Sequence, residues 1–212
     1  MKLVTFEPVA SLDRPAPAPR PGPRCGVLAP RDEEPHHHAA ILDLPTAFAY
    51  LDARAGRAAD PVSVAARYGA EMIALIECEQ AALSAIAELL ELHHRGALPE
   101  QHAGAPLLHA RTAVRLLSPI PRPLSMRDGY AFRQHVEAAR RNRGLPMIPE
   151  FDEIPIFYYT NHLSVIGPGP VRVRPLHLQQ LDFELEAAVV LGRTVRNADV
   201  AAADAAIFGL MV

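Results

Sequence analysis

"LDFELEAAVVLG", residues 181–192, sets Asp182, Glu184 and Glu186 at alternate positions and then runs straight into Ala187, Ala188, Val189, Val190 and Leu191. Side chains on a β-strand alternate between faces, so a strand here predicts the acids on one face and Phe183 with Leu185 on the other. Adjacent carboxylates on that face stand about 6.7 Å apart. Their repulsion is roughly 2–3 kcal/mol per pair at an effective dielectric near 20, against about 0.6 kcal/mol in water. The acidic face is therefore either the wet side of an edge strand or the seat of something positive. The apolar continuation predicts that the strand enters a core directly after the acids, and a hard cation is the usual means of holding clustered carboxylates at such a boundary. All-oxygen ligands favour Mg²⁺, Ca²⁺ or Mn²⁺ over Zn²⁺.

The rest of the chain narrows the classes. With 212 residues and 50% apolar composition it can build a sizeable core as one large domain or two small ones. A formal net charge of -3 and a pI near 6.4 give no electrostatic footprint for nucleic acid. Charges interrupt every apolar window before it could span a bilayer, and "MKLVTFEPVASLDRP" at the start has no long apolar signal region. A soluble cytoplasmic protein with no nucleic-acid or membrane partner is the expectation. Cys25 and Cys78 are no disulfide framework, read as reduced thiols, and receive no role.

Local signals predict two domains, 1–117 and 118–212. In the first, "LVTF" at 3–6, "CGVL" at 25–28 and "AILDL" at 40–44 read as short strands, with "RPAPAPRPGPR" as an extended linker between the first two. Asp60-Pro61 is a helix start, and Tyr68, Met72, Leu75, Ile76, Leu83, Ile86, Leu89 and Leu90 follow the helical period over 61–92, as one long helix or two consecutive ones. After the proline-rich "LLSPIPRPLS", the segment "YAFRQHVEAARRNRG" predicts a helix with an apolar stripe of Phe132, Val136 and Ala139. Glu137 can pair there with Arg133 and Arg141, and Gly144 closes the end. "IFYYT", "LSVIG", "VRVR" and the acidic stretch then read as strands, which makes 118–212 β-rich. Asn197 is placed to cap a short helix, and "IFGLMV" is a final apolar strand. Because a natural terminus is seldom an apolar strand, the chain is expected to be a fragment of something longer.

Several side chains invite a chemical reading. Asp128 and His135 are seven apart, so a helix through both would set them on one face about 10.5 Å apart along its axis. Equally, a helix starting after Gly129 leaves Asp128 as a loop or cap residue and His135 as a partly buried histidine. The triplet His36, His37, His38 reads as a polar loop, because consecutive histidines cannot all face one metal. His93 and His94 fit a helix C-terminus by the macrodipole and solvent exposure. Tyr158 and Tyr159 read as core or cross-strand packing. No P-loop, G-x-G-x-x-G, G-x-S-x-G or C-x-x-C motif occurs.

Taken in order, "RDGYAFRQH", "IPIFYYTNHLSVIGPG", "LDFELEAAVVLGR" and "IFGLMV" resemble the fumarylacetoacetate hydrolase family over residues 115–212, and the opening strands resemble its small N-terminal domain more weakly. The resemblance implies an α+β, mainly β fold: an incomplete β-roll or sandwich catalytic domain preceded by a small N-terminal α+β domain. It implies Asp128, Glu184 and Glu186 as carboxylate ligands of Mg²⁺ or Ca²⁺, with Mn²⁺ a further choice, and His135 as the general base. Tyr130 and Tyr158 match positions that contact substrate, and Arg143 falls within about one residue of a substrate-binding arginine, while Asp182 is no ligand. The implied reaction is cleavage of a carbon–carbon bond in a 1,3-diketone acid such as fumarylacetoacetate or an acylpyruvate. In it a hard ion polarises the carbonyl, the base draws a proton from water, and an enolate departs. Such a base must be neutral at its working pH. An isomerase, decarboxylase or hydratase of 2-keto acids on the same fold is the alternative, and an inactive remnant is a third reading. The family pattern continues after the position of Val212 into an "NDWSARD"-like segment with a further ligand. These 212 residues alone are thus expected to be unstable and nearly inactive, and the full-length protein is expected to be a homodimer acting on a small keto acid.

Overall fold

The computed structural model describes residues 1–9, 22–30 and 39–212. The triplet at 36–38 and most of the proline-rich linker lie outside the described residues. Two compact units result: one formed by Met1–Ile120 with Ile166–Val212, the other by Pro121–Val165.

In the first unit, β1 (Leu3–Pro8), β2 (Arg24–Ala29) and β3 (Ala40–Asp43) form where the alternating apolar runs predict them. Asp43 then stops the strand and starts a helix. Its carboxylate accepts the Thr46 N–H at 3.1 Å, and Pro45 occupies the first turn, so Leu44 opens α1 (Leu44–Arg54) instead of ending the strand read over 40–44. Asp60 caps α2 (Pro61–Tyr68), accepting the N–H groups of Val62 and Ser63 at 3.1 and 3.0 Å. Two further helices, α3 (Met72–Glu77) and α4 (Glu79–His94), complete the stretch expected as one or two helices. Gly69 causes the extra break. Its φ is +81°, and a Cβ there would lie 2.2 Å from the Leu75 nitrogen, so the chain turns where only glycine fits. A small hairpin, β4 (Gln101–His102) with β5 (Ala105–Pro106), leads to β6 (Leu108–His109) and β7 (Val114–Leu116).

Five of these strands make one antiparallel sheet in the order β6-β3-β2-β1-β7. Strand alternation divides its side chains. Cys25, Val27, Ala29 and Leu42 join Leu44, Phe48, Leu75, Ile86 and Leu89 of the helices in the main core, while Phe6, Ile41 and Val114 build a smaller cluster. Phe48 stacks on Tyr68 with centroids 4.4 Å apart. His93 falls on the buried stripe of α4 and is only 8% exposed, so the solvent-exposed placement expected for it is corrected. Both cysteines are free thiols, and burial pushes the Cys25 thiol up to about 12, which leaves it no nucleophile at neutral pH. Among the described residues no helix is long and apolar enough to cross a membrane.

Asp43 joins three strands to α1. Arg24 donates to its two carboxylate oxygens at 2.5 and 2.7 Å, and His109 Nε2 stands 3.4 Å from Oδ2. Burial acts to raise the Asp43 carboxyl, but His109, Arg24 and the Thr46 N–H outweigh it and hold it below the ordinary carboxylate range. At 3.4 Å, with Nε2 making no hydrogen bond, the histidine is the weaker partner and the Arg24 fork the stronger. A folded-state pKa below the unfolded value of about 3.9 stabilises the fold above that pH, and the stabilisation is lost as pH falls through the folded value. Asp43→Asn keeps a competent cap and removes the charge, so it should cost about 2 kcal/mol at pH 7. The gap from wild type should shrink below about pH 4. Urea unfolding at pH 7 and pH 3 reads this directly; a gap unchanged between the two would remove the carboxylate's role.

The second unit holds β8 (Arg127–Gly129), α5 (Arg133–Asn142) and β9 (Phe157–Tyr159), with β8 and β9 paired antiparallel. The helix forms over the predicted segment, and Arg133 pairs with Glu137 and with Asp152. Gly144 takes φ +68° just past its end, as the closing glycine should. Of the expected apolar stripe only Val136 is buried. Phe132 is 72% exposed, because it stands at the N-cap before the helix begins.

Back in the first unit, β10 (Ala188–Leu191) pairs antiparallel with β11 (Ile207–Met211) across α6 (Val200–Asp204). Asp199, not Asn197, caps α6, accepting the Ala202 N–H at 2.8 Å, while Asn197 takes φ +51° in the turn before it. Val190 and Phe208 pack on the main core, and Arg193 reaches Glu79 at 3.2 Å. "LSVIG" and "VRVR" are not strands. Pro168, Pro170 and Pro175 take ladder donors out of that stretch, which is coil and short 3-10 turns instead. The chain is α+β, but helix outweighs strand among the described residues, against the mainly β expectation.

Candidate metal and catalytic site

Asp128 lies in β8, so it is neither on a helix with His135 nor a loop or cap residue. Its direct cross-strand neighbour is Tyr158, whose hydroxyl donates to Asp128 Oδ2 at 2.6 Å. Gly129 lets the two strands meet: a Cβ there would come within 2.8 Å of the Ile156 carbonyl oxygen. On the other face of this ribbon the Arg127 guanidinium sits 4.8 Å over the Tyr159 ring and 5.6 Å from Phe157. Tyr158 and Tyr159 are thus cross-strand residues as expected, but at 59% and 70% exposure they belong to no core.

Tyr130 follows the strand directly, and its ring centroid is 6.3 Å from that of His135. His135 lies in the first turns of α5, with its backbone N–H on the Phe132 carbonyl at 3.1 Å and its side chain exposed. Arg143 ends the same helix and is also exposed. One short ribbon and one helix of the second unit therefore present Asp128, Tyr130, His135, Arg143 and Tyr158.

Glu184 and Glu186 lie in the first unit, in an extended run that precedes β10. The strand expected over the whole of 181–192 begins only at Ala188. No strand pairs with 181–187 among the described residues, so Phe183 and Leu185 have no buried face and stand 84% and 80% exposed. Nor does the apolar run dive wholly into a core: Val190 packs inward while Val189 and Leu191 remain more than half exposed. Asp182 turns its carboxylate back onto the Phe183 N–H at 2.8 Å, a local bond of the chain with itself. Within neither unit do three His, Cys, Asp or Glu side chains gather about one point among the described residues. As donors, Asp128, Glu184 and Glu186 offer anionic oxygen and no nitrogen or sulfur, the chemistry that suits a hard divalent ion.

A family model described as "Fumarylacetoacetate (FAA) hydrolase C-terminal" matches residues 125–212. Over this segment the chain is similar to the fumarylacetoacetate hydrolase family. The family so described includes enzymes. Every residue singled out above as ligand, base or substrate contact falls inside the fumarylacetoacetate hydrolase segment. No curated protein matches the chain.

Two buried acids escaped the sequence reading, Asp43 and Asp52, both in the first unit and both engaged by arginines. Their signal was positional. Asp43 precedes a helix-opening proline by two residues, and Asp52 falls four residues after Phe48 on the apolar face of α1.

Proposed function

We propose that the protein is a divalent-metal-dependent hydrolase that cleaves a carbon–carbon bond in a 1,3-diketone acid, fumarylacetoacetate or an acylpyruvate. The observation that carries this is the family match at 125–212, which contains Asp128, His135, Glu184 and Glu186 together. In this reading the three carboxylates hold Mg²⁺, Ca²⁺ or Mn²⁺. When bound, such an ion supplies Lewis-acid polarisation of the diketone.

The chain's own groups do the remaining work. His135 takes a proton from water with an imidazole nitrogen, which makes the attacking hydroxide beside the carbonyl. Tyr130, a ring's breadth from His135, offers a hydroxyl to a substrate oxygen, and Arg143 meets the acid's carboxylate as a forked cation. Tyr158 borders the same place across the ribbon. The same reading gives residues 125–212 the family's β-roll or sandwich architecture, a homodimer as the assembly, a small keto acid as partner and the cytoplasm as location. His135 as a water-activating base favours hydrolysis over isomerisation or decarboxylation, because neither of those consumes water; hydration also consumes water and differs in leaving the carbon skeleton intact.

Loss of the diketone absorbance on adding fumarylacetoacetate or an acylpyruvate tests the proposal, measured on the 212-residue chain and on any longer form of the same protein side by side. Turnover that stops on chelation and returns with Mg²⁺, Ca²⁺ or Mn²⁺ supports it. Absence of turnover from both forms overturns it, conversion without carbon–carbon cleavage selects the isomerase or hydratase reading, and release of CO2 selects the decarboxylase reading.

A further inference from the structure

We propose that Tyr158 is a positioning residue for Asp128: its hydroxyl holds one carboxylate oxygen and leaves the other turned toward a divalent cation. This rests on the reading of Asp128 as a metal ligand.

The ribbon makes the pairing specific. Asp128 and Tyr158 are register partners in β8 and β9, and the hydroxyl meets Oδ2 at 2.6 Å, the length of a charge-assisted hydrogen bond. Gly129 sets that register, since the Ile156 carbonyl oxygen occupies the space any Cβ would need, 2.8 Å away. A slip of one residue would turn every side chain of the strand to the opposite face. Tyr159, the other tyrosine of β9, is committed to the opposite face, where its ring lies under Arg127. Of the two tyrosines of β9, it is Tyr158 that serves Asp128.

The residue type also suits the task. A lysine or arginine beside Asp128 would neutralise the carboxylate and repel a divalent ion, whereas a neutral hydroxyl donor fixes the rotamer and leaves the full negative charge. Folding has little use for this bond, because Tyr158 is 59% exposed and an exposed hydrogen bond exchanges with water at small net gain. Orientation of a ligand is different, since outer partners of metal ligands typically govern affinity by about 10- to 100-fold.

Mn²⁺ binding by calorimetry, together with the thermal midpoint, separates the roles in wild type, Tyr158→Phe, Tyr159→Phe and Asp128→Asn. Tyr158→Phe removes only the hydroxyl and should weaken Mn²⁺ binding about tenfold with the thermal midpoint unchanged. Tyr159→Phe should bind within about twofold of wild type, and Asp128→Asn should bind at least about a hundredfold more weakly. If Tyr158→Phe binds like wild type while Asp128→Asn fails, the positioning role is wrong and the ligand stands. A parallel fall of affinity and midpoint in Tyr158→Phe also overturns positioning, in favour of a structural bond. No Mn²⁺ binding by wild type, or undiminished binding by Asp128→Asn, sinks the ligand reading and the proposal with it.

Discussion

His135→Ala is expected to cut kcat by about a hundred- to ten-thousand-fold, the range lost with a general base, while Mn²⁺ affinity stays as in wild type. The fold gives this substitution an unusually clean reading. α5 is held to its unit by the buried Val136 and by Arg133, which pairs with Glu137 and Asp152. The exposed imidazole takes no part in those bonds, and alanine is the best helix former, so helix and unit survive the change. The carboxylates proposed as ligands are other side chains, Asp128, Glu184 and Glu186, so the loss should appear in kcat and leave metal binding alone. Steady-state rates and calorimetry on the same preparations make the comparison. Equal kcat in variant and wild type would take the base away from His135; a fall in both rate and Mn²⁺ affinity would make it a ligand instead.

What could be read from the sequence was local. The first three strands, the Asp60 cap, the Arg133–Asn142 helix with its closing Gly144, and the last strand each carry their signal within a few residues. What could not be read depended on partners far away. Alternation over 181–187 describes an extended chain equally well whether or not a neighbour pairs with it, and none does among the described residues. Asp128 sits in a two-stranded ribbon whose other half is thirty residues on, so no helical or cap argument around it could find Tyr158 opposite. Gly69 lies inside the apolar period read over 61–92, and the Leu75 backbone occupies the place of its missing Cβ. The candidate site was legible only as a resemblance: the motifs around the acids and the histidine are similar to those of the family, and the separate setting of each residue had to come from the structure.

Asp52→Ala should destabilise the first unit by about 3 kcal/mol, the low end of the cost of breaking a buried ion pair. Asp52 is fully buried on the core face of α1, where helical spacing from Leu44 and Phe48 would lead one to expect a leucine. Its carboxylate instead accepts the Tyr68 hydroxyl at 2.9 Å, Arg57 Nε at 2.8 Å, and Arg67. Truncation strands these groups unequally. The arginine side chains are 46% and 35% exposed and can turn to water, which is why the upper end of the range does not apply. Tyr68 cannot follow them, because its ring is locked against Phe48 and only 5% of the residue is exposed. Its hydroxyl keeps a bond from Arg57 at 3.2 Å but loses its acceptor, and the space vacated by the carboxylate opens beside the α1–α2 contact. For a chain of this size the loss corresponds to roughly 6–12 °C in Tm. Asp52→Asn, which retains volume and an acceptor for Tyr68, should recover part of it. Thermal unfolding of the two variants beside wild type settles the matter: a midpoint for Asp52→Ala within about 2 °C of wild type would mean that the arginines and the hydroxyl find equal partners elsewhere, and that α1 and α2 are joined by apolar contact alone.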